Sequence, residues 1–215
     1  MSHYFHTPEG PVTTRQIRAT VFDHDLVFTT AGGVFSGSRL DPGTAVLLDT
    51  FEPPGEGHLL DLGCGFGPIA VGLAVAGPAV TVDAVDVNAL AVELTATNAA
   101  AAGVADRVRA TTPDAVADDV RYAQIWSNPP IRIGKAALHE LLLAWLPRLT
   151  PDGVARLVVS KNLGGDSLQR WLIEQGYPTE RVASAKGFRI LEVSPRLTDP
   201  AGTESASTDP AGGHS

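Results

Sequence analysis

The fold is decided by one glycine-rich stretch, Asp61-Leu62-Gly63-Cys64-Gly65-Phe66-Gly67-Pro68. It follows a short apolar run typical of a buried strand and precedes an apolar run that opens with proline, a residue favoured in the first turn of a helix. Glycines allow a sharp turn and a close approach of the backbone to a ligand. The free amides at the start of the helix favour a carboxylate or a phosphate. The stretch therefore predicts a ligand-binding strand–loop–helix unit of an α/β fold.

Two details of this loop distinguish between classes of ligand. Asp61 lies two residues before the first glycine, where it would attract a bound ammonium group and repel a pyrophosphate. The fingerprint of dinucleotide-binding loops requires its third glycine where this chain has Pro68. The loop therefore favours an adenosine that carries an amino acid over a nicotinamide dinucleotide.

Strand and helix patterns alternate along most of the chain. Strands are predicted at 58–62, 80–86, 107–110, 122–126 and 155–160, and helices at 68–76, 89–102, 135–149 and 166–175. The strands are short apolar runs without strict alternation, as in a parallel sheet covered on both faces. Two further runs, 180–185 and 188–193, flank Lys186-Gly187 and predict an antiparallel hairpin. The pattern predicts a doubly wound, mostly parallel, seven-stranded Rossmann-like sheet with a C-terminal antiparallel hairpin.

The two ends of the chain differ from this core. Runs of β-branched and aromatic residues at 17–22 and 26–29 predict a short N-terminal β extension, and Asp41-Pro42 predicts the start of a helix that ends near 51. The last residues are rich in Pro, Gly, Ser and Thr, which predicts disorder. We therefore divide the chain into an N-terminal hairpin-and-helix extension (1–52), a ligand-binding core (53–194) and a disordered tail (195–215).

Composition excludes several classes of protein. The 215 residues carry a formal net charge of −8, which argues against coating nucleic acid by bulk attraction but is compatible with a local basic patch. The single cysteine excludes an internal disulfide and is typical of a reducing compartment. The N terminus lacks the pattern of a signal peptide, and no apolar run approaches the roughly 20 residues of a membrane span. We therefore expect a cytoplasmic protein without a membrane partner.

Acidic residues lie at the end of the next predicted strand and shortly after the one that follows it. Asp86 lies about 20 residues after the glycines, the spacing at which an acid accepts hydrogen bonds from ribose hydroxyls, and Val87 follows it in the same predicted pocket. Asp114 would accept a hydrogen bond from an adenine amino group. Each acid has a simpler alternative, because Asp86 or Asn88 would cap the next helix and Asp114 would cap a short helix.

The fourth predicted strand of the core runs into Asn128-Pro129-Pro130. A proline holds the residue before it in an extended conformation, so Asn128 and Pro129 are both restrained. Neither proline has an N–H group, which leaves the side-chain oxygen of Asn128 and the carbonyl of Pro129 as acceptors. Two fixed acceptors at the end of a central strand can bind both hydrogens of a planar amino group. We therefore predict that Asn128, Pro129 and Pro130 form a catalytic motif; the alternative is a strand-ending turn.

Together these motifs resemble the small-domain branch of ribosomal RNA guanine-N2 methyltransferases, over about residues 4–193. The resemblance rests on 33–36, 40–44, 61–68, 86–88, 128–131 and 186–188. It implies a class I methyltransferase core at 53–194 that uses S-adenosylmethionine (SAM), releases S-adenosylhomocysteine and needs no metal. It also implies that the partner is ribosomal RNA or a small ribosomal subunit.

The same resemblance implies roles for individual residues. The methionine end of SAM would lie against Asp61 and the loop residues Gly63, Cys64, Gly65 and Gly67. Asp86 would bind the ribose, Phe35 and Ser36 would cover the cofactor, and Asn128 with Pro129 would hold the target amine. The family usually has an aromatic residue where this chain has Ile131, and an aliphatic side chain cannot supply the stacking that contributes about 1–3 kcal/mol per base.

Basic residues near the asparagine motif predict where RNA would bind. The predicted substrate-binding residues are Ile131, Arg132, Lys135 and Lys186, and a basic mouth would also include Lys161 and Arg189. The alternative is a set of scattered, solvated charges. Cys64 lies between two glycines, which favours a role as a small residue over one as a nucleophile. No grouping of His, Cys and acidic residues predicts a metal site.

Three other functions stay open. The two hydrogen-bond acceptors of the asparagine motif would equally bind the side chain of a protein glutamine or adenine N6. One of these amines would then be methylated instead of guanine N2. A nicotinamide oxidoreductase conflicts with Pro68 and leaves the Asn128 motif without a role. A non-catalytic SAM-binding or RNA-binding module would not need that motif.

Overall fold

The strands and helices of the computed structural model follow the predicted order over the described residues, which are 13–34, 39–130 and 133–196. The strands are β1 (Thr14–Val21), β2 (His24–Ala31), β3 (Glu56–Leu62), β4 (Ala79–Val85), β5 (Val108–Thr111), β6 (Tyr122–Ser127), β7 (Leu149–Ser160), β8 (Thr179–Ala185) and β9 (Phe188–Val193). The α-helices are α1 (Pro42–Thr50), α2 (Pro68–Ala76), α3 (Ala89–Ala101), α4 (Lys135–Trp145) and α5 (Gly165–Glu174).

The strands from β3 to β9 form one sheet in the order β5-β4-β3-β6-β7-β9-β8. The pairs from β5 to β7 are parallel, whereas β9 is antiparallel to both β7 and β8. Apolar side chains are buried on both faces of the sheet, with Leu59 and Val82 in one cluster and Leu60 and Leu62 in another. The predicted doubly wound, mostly parallel sheet with a C-terminal antiparallel hairpin is confirmed.

The boundary between α4 and β7 differs from the prediction. The helix predicted to reach 149 ends at Trp145 and continues as a 3₁₀ turn over Leu146–Arg148, and β7 begins at Leu149 instead of 155. Pro147 explains the earlier helix end, because proline lacks an N–H group and its ring clashes with the carbonyl four residues before it. The added residues of β7 pair with the start of β6 through a register shift between Tyr122 and Gln124.

The N-terminal strands β1 and β2 form a separate two-stranded sheet that packs on the core. Val21 lies so close to α2 that a Cβ on Gly72 would clash with its Cγ1 atom. Asn98 of α3 accepts a hydrogen bond from the Thr29 amide (2.7 Å) and donates to the carbonyls of Thr29 (2.8 Å) and Phe66 (2.8 Å). Asn98 therefore connects the N-terminal hairpin to the glycine-rich loop. The proposed division of the chain at 52 and 194 stays a prediction.

The predicted tail cannot be compared with the structure from residue 197 onward, because residues 197–215, like residues 1–12, lie outside the described part. Within the described part of the chain, no helix combines the length and the apolar character that crossing a membrane requires.

Candidate active site

The candidate site lies at the carboxyl ends of three neighbouring strands, where open α/β sheets bind their ligands. Asp61 of β3 is in register with Ala84 of β4 and Trp126 of β6, so the residues that follow these strands meet at one edge. The Ser127 hydroxyl donates to the Leu62 carbonyl at 2.6 Å and fixes the end of β6 beside the end of β3. A cleft at this edge is lined by residues of the glycine-rich loop, the start of α1 and the asparagine motif: Asp41, Thr44, Gly63, Cys64, Gly65, Phe66, Pro68, Ile69 and Asn128.

The glycine-rich loop has the backbone conformation that its sequence predicts. Gly63, Gly65 and Gly67 have φ angles of 78°, 59° and 86°, in the left-handed region that side chains disfavour. The amides of Gly63 and Cys64 both donate to the Val85 carbonyl, at 2.8 and 3.1 Å, which fixes the loop to the end of β4. A Cβ on Gly67 would lie 2.8 Å from a side-chain carbon of Thr95. Close packing and positive φ together require glycine at this position.

Asp61 is fully buried at the base of this loop. Its Oδ2 accepts a hydrogen bond from the Ala70 amide at 3.0 Å, whereas its Oδ1 has no hydrogen-bond partner among the described residues. Burial raises the pKa of this carboxyl from 3.8 to about 7. A buried acceptor without a partner is costly, and a cationic ligand that reached Oδ1 would remove that cost. The site therefore fits the ammonium group of a bound amino acid.

Asp86 holds the loop from the next strand. Its Oδ2 accepts from the Gly65 amide at 3.0 Å and its Oδ1 from the Asn88 amide at 2.9 Å, and burial raises its pKa. Asn88 caps α3, with its side-chain oxygen accepting from the Leu90 amide at 3.0 Å. The sequence allowed either Asp86 or Asn88 to cap α3, and the structure shows that Asn88 does so. Ribose binding by Asp86 stays a prediction. The side chain of Val87 is 56% exposed beside them.

The asparagine motif lies directly against the glycine-rich loop. A Cβ on Gly63 would be 3.8 Å from the Cδ of Pro130, so the two segments are neighbours. The Nδ2 of Asn128 donates to the Oδ1 of Asp41 at 2.7 Å and to the Oγ1 of Thr44 at 3.0 Å. The structure thus brings Asn128 and Pro130 together with the loop, as their sequence positions predicted.

Two other predicted cofactor residues have distinct environments. Asp114 is exposed in a 3₁₀ turn after β5, and a hydrogen bond from the Thr112 side chain lowers its pKa. It lies near the site because the Asp86 amide donates to the Thr111 carbonyl at 3.2 Å. Cys64 is buried, with its Sγ 3.4 Å from the Thr95 Oγ1. Burial raises the pKa of its thiol well above the ordinary value of 9.0. A thiol that stays protonated is a poor nucleophile. The predictions for Phe35, Ser36, Ile131 and Arg132 lie outside the described residues.

The predicted basic residues are only partly free to bind RNA. Lys135 at the start of α4 is exposed, and so are Lys161 and Lys186. The last two lie close together, because the Lys161 amide donates to the carbonyl of Gly187 at 2.9 Å. Arg189, in contrast, donates from its Nε to the Asp166 carboxylate at 3.0 Å, which neutralises part of its charge.

Asp41 and Thr44 are site residues that the sequence did not assign. The Asp41-Pro42 pair predicted only the start of α1, and Asp41 does cap that helix by accepting from the amides of Gly43 and Thr44. The contact with Asn128 spans 87 residues of sequence. No local pattern predicts such a pairing, because it depends on how α1 packs over the end of β6.

Comparison with known proteins shows the family to which the chain belongs. A family model described as a methyltransferase small domain matches residues 25–192. The chain belongs to the methyltransferase small domain family. As in the prediction, it is therefore a SAM-dependent methyltransferase, and Asp61 with the adjacent loop offers the cationic, amino-acid-bearing end of SAM a fitting site. Across 13–34, 39–130 and 133–196, no three His, Cys, Asp or Glu residues are grouped so that they could hold a metal ion.

Relatives within the methyltransferase small domain family differ in length. The chain is 35% identical over 171 residues to the uncharacterized protein YbxB of Bacillus subtilis (strain 168), a match that covers 78% of this chain and 85% of that protein. It is 37% identical over 174 residues to the ribosomal RNA small subunit methyltransferase C of Pseudomonas aeruginosa (strain LESB58), covering 78% of this chain but 51% of that protein. The match to the methyltransferase C of Citrobacter koseri is 42% identical over 143 residues and covers 64% of this chain and 41% of that protein. The chain thus spans about half the length of these two methyltransferases.

Two solved structures have a similar fold. The 16S rRNA N2 G1207 methyltransferase of T. thermophilus, in complex with AdoMet and guanosine, matches with a TM-score of 0.75 and 25% identity over 88% of this chain and 52% of that one. A ribosomal protein L11 methylase from Lactobacillus delbrueckii subsp. bulgaricus matches with a TM-score of 0.58 and 21% identity, over 74% of this chain and 85% of that one, and so shares the fold.

Proposed function

We propose that this protein transfers the methyl group of SAM to the exocyclic N2 amino group of guanine in ribosomal RNA. The observation that carries the proposal is the position of the asparagine motif, which lies against the glycine-rich loop with Pro130 next to Gly63. An amine acceptor beside the cofactor loop is what methylation of a planar nitrogen requires. The names of the ribosomal RNA methyltransferases that the chain resembles support ribosomal RNA as the substrate. The T. thermophilus N2 G1207 methyltransferase, solved with guanosine, supports guanine as the acceptor.

The chain's own residues would bind and orient the amine. SAM supplies an electrophilic methyl group when it is bound. The side-chain oxygen of Asn128 and the carbonyl of Pro129 would each accept one hydrogen of the amino group and hold its nitrogen in place. Both acceptors bind more strongly as the nitrogen becomes cationic, so they stabilise the transition state more than the ground state. Water would then take the released proton.

Binding of RNA would depend on a local basic surface. The net charge of −8 disfavours attraction over the whole molecule, and Lys135, Lys161 and Lys186 are exposed. Phosphate contacts made by lysines weaken steeply with added salt. The target guanine has to be unpaired or flipped out of a helix to reach a cleft at the edge of the sheet.

Labelled methyl transfer tests this proposal. Ribosomal RNA and small ribosomal subunits from a strain that lacks this gene would be incubated with the protein and methyl-labelled SAM, and the digested nucleosides would be separated. We expect label in N2-methylguanosine, and much less label at limiting SAM concentration when Asp61→Asn replaces the wild-type protein. Label in N6-methyladenosine, or in a glutamine of a subunit protein, would overturn guanine as the acceptor. Absence of label from both RNA and protein would overturn the ribosomal substrate.

A further inference from the structure

The amide of Asn128 has a donor end and an acceptor end of nearly the same shape, and only one of them suits a target amine. Its oxygen can accept a hydrogen from the amine, whereas its NH₂ group would oppose it with a second donor. A rotation of 180° about the last side-chain bond exchanges the two ends. The reaction proposed above therefore requires something that holds the amide in one orientation.

The carboxylate of Asp41 distinguishes the two ends. The Nδ2 of Asn128 lies 2.7 Å from the Oδ1 of Asp41, and an ionised carboxylate can only accept hydrogen bonds. The flipped amide would place its oxygen against that carboxylate oxygen, which is repulsive. The hydroxyl oxygen of Thr44 lies 3.0 Å from the same Nδ2. Both hydrogens of the NH₂ group are thus occupied, which leaves the oxygen as the end of the amide that a ligand could use.

The two partners of Asn128 are themselves fixed at the start of α1. The Oδ1 of Asp41 also accepts from the amides of Gly43 at 2.8 Å and Thr44 at 3.1 Å, and Thr44 is 4% exposed. A Cβ on Gly43 would lie 2.9 Å from the Oδ1 of Asp41 and 2.9 Å from the Cε1 of Phe188. The start of α1 is therefore closely packed, with Asp41 held by two backbone amides and Thr44 buried.

We propose that Asp41 and Thr44 are positioning residues that hold the Asn128 amide with its oxygen toward the amino group of the substrate. The inference rests on the proposed function, because it assigns the residues that orient its amine acceptor. The negative charge of Asp41 also polarises the amide through the N–H···O bond and strengthens its oxygen as an acceptor. That effect grows as positive charge develops on the amine.

Substitution by serine separates this role from helix capping. Serine caps helices about as well as aspartate but is too short to reach Asn128 at the same time. We expect Asp41→Ser to lower kcat by about 10- to 100-fold, by analogy with the loss of a residue that orients the ligand of a catalytic metal. The KM for RNA and the Kd for SAM should change by less than about threefold. Asp41→Asn, which keeps one acceptor without the charge, should retain more activity than Asp41→Ser.

Two sets of variants control for structure. Asp49→Ser makes the same change at an exposed position of α1 and should leave kcat unchanged. Thr44→Ser keeps the hydroxyl and should be active, whereas Thr44→Val should lower kcat without changing the Kd for SAM. A role in capping alone predicts that Asp41→Ser retains wild-type kcat, and that result would overturn the inference.

A readout that needs no RNA separates this inference from the proposed function. Side-chain amide resonances of Asn128, identified by their loss in Asn128→Ala, should exchange with solvent at least about tenfold more slowly than those of exposed Asn162. The protection should disappear in Asp41→Ser. If the resonances are protected but the wild-type protein methylates no RNA, the proposed function is wrong and the positioning role of Asp41 and Thr44 stands. If the resonances are unprotected but the wild-type protein is active, the positioning role is wrong and the proposed function stands.

Discussion

Asp61 and Asp83 are buried aspartates on neighbouring strands, but only Asp83 has a polar or charged side chain near each of its carboxylate oxygens. The Oδ2 of Asp83 accepts from the Tyr122 hydroxyl at 2.9 Å and lies 3.4 Å from the Nε2 of His58, and its Oδ1 is 3.9 Å from Arg109. The Oδ1 of Asp61 has no hydrogen-bond partner within the described part of the chain. The comparison teaches that burial of an acid is not in itself a sign of function.

The position of the two acids on the sheet explains the difference. Asp83 is in register with Leu60, the residue before Asp61, so the two carboxylates point to opposite faces of the sheet. Asp61 faces the side that carries α2 and the glycine-rich loop, where its Oδ1 has no hydrogen-bond partner among the described residues. Asp83 faces the side where Tyr122 completes them from within the fold. An incompletely bonded buried acid next to a ligand loop therefore indicates function, and a fully bonded one indicates structure.

Asp61→Asn should produce the largest difference between the two positions. Loss of the charge removes a charge-assisted hydrogen bond to the ammonium group, which contributes about 2–3 kcal/mol, or roughly 30- to 150-fold in the Kd for SAM. Titration calorimetry at pH 8 measures it. Because burial opposes ionisation of Asp61, the variant should unfold at the same urea concentration as the wild type or a higher one.

The matched variant Asp83→Asn should show the opposite pattern, with a lower free energy of unfolding and an unchanged Kd for SAM. Equal losses of SAM affinity in both variants would contradict the proposed difference between Asp61 and Asp83, because they would mean that both acids act through the fold.

Tyr122→Phe should have a smaller effect, on stability alone. It removes the hydroxyl that donates to the Oδ2 of Asp83. The remaining partner of that oxygen is His58, whose side chain is half-exposed. An acceptor left short of a partner in the core costs about 1–2 kcal/mol, which urea unfolding measures. SAM affinity should stay within about twofold of wild type. A large loss of SAM affinity at wild-type stability would show that this face of the sheet also binds the cofactor.

The dependence of SAM affinity on pH should be the smallest effect. The free protein holds a proton on Asp61 below pH 7, because burial raises that pKa to about 7, whereas an ammonium ligand requires the carboxylate. Binding then releases a proton, so affinity rises with pH. With a pKa of about 7, the Kd should increase about fivefold from pH 7 to pH 6. The same titration of Asp61→Asn should be flat over this range, and an equal slope in the variant would assign the pH dependence to another group.

Local sequence predicted most of the sheet, because each element carries its own signal. The helix at 68–76 and the turn at Lys186-Gly187 lie where proline, glycine and the apolar runs indicate them. The sequence does not clearly indicate the end of α4, because apolar residues continue past 145 and only Pro147 interrupts them. The hairpin of β1 and β2 was predicted, but its attachment through Asn98 was not, because an asparagine inside a helix gives no sign of a partner 69 residues away.

The candidate site was predicted in part for the same reason. Glycines, the acid before them and the asparagine–proline motif have fixed local chemistry, so Asp61, Asp86 and Asn128 were identified as one group. The roles of Asp41 and Thr44 depend on a contact between α1 and the end of β6, which only the folded chain brings together. Capping by Asp41 was visible in the sequence; its second use was not.

The most direct test of the account is Asn128→Ala, measured for SAM binding and for methyl transfer to ribosomal RNA in the same preparation. Asp61, the proposed acidic partner of the cofactor, lies on β3, whereas Asn128, the proposed acceptor of the amine, follows the end of β6. We therefore expect a Kd for SAM within about twofold of wild type and a rate of methyl transfer at least about 100-fold lower, the loss typical of removing one electrostatic partner of a transition state. Methyl transfer at near the wild-type rate would show that Asn128 does not hold the target amine.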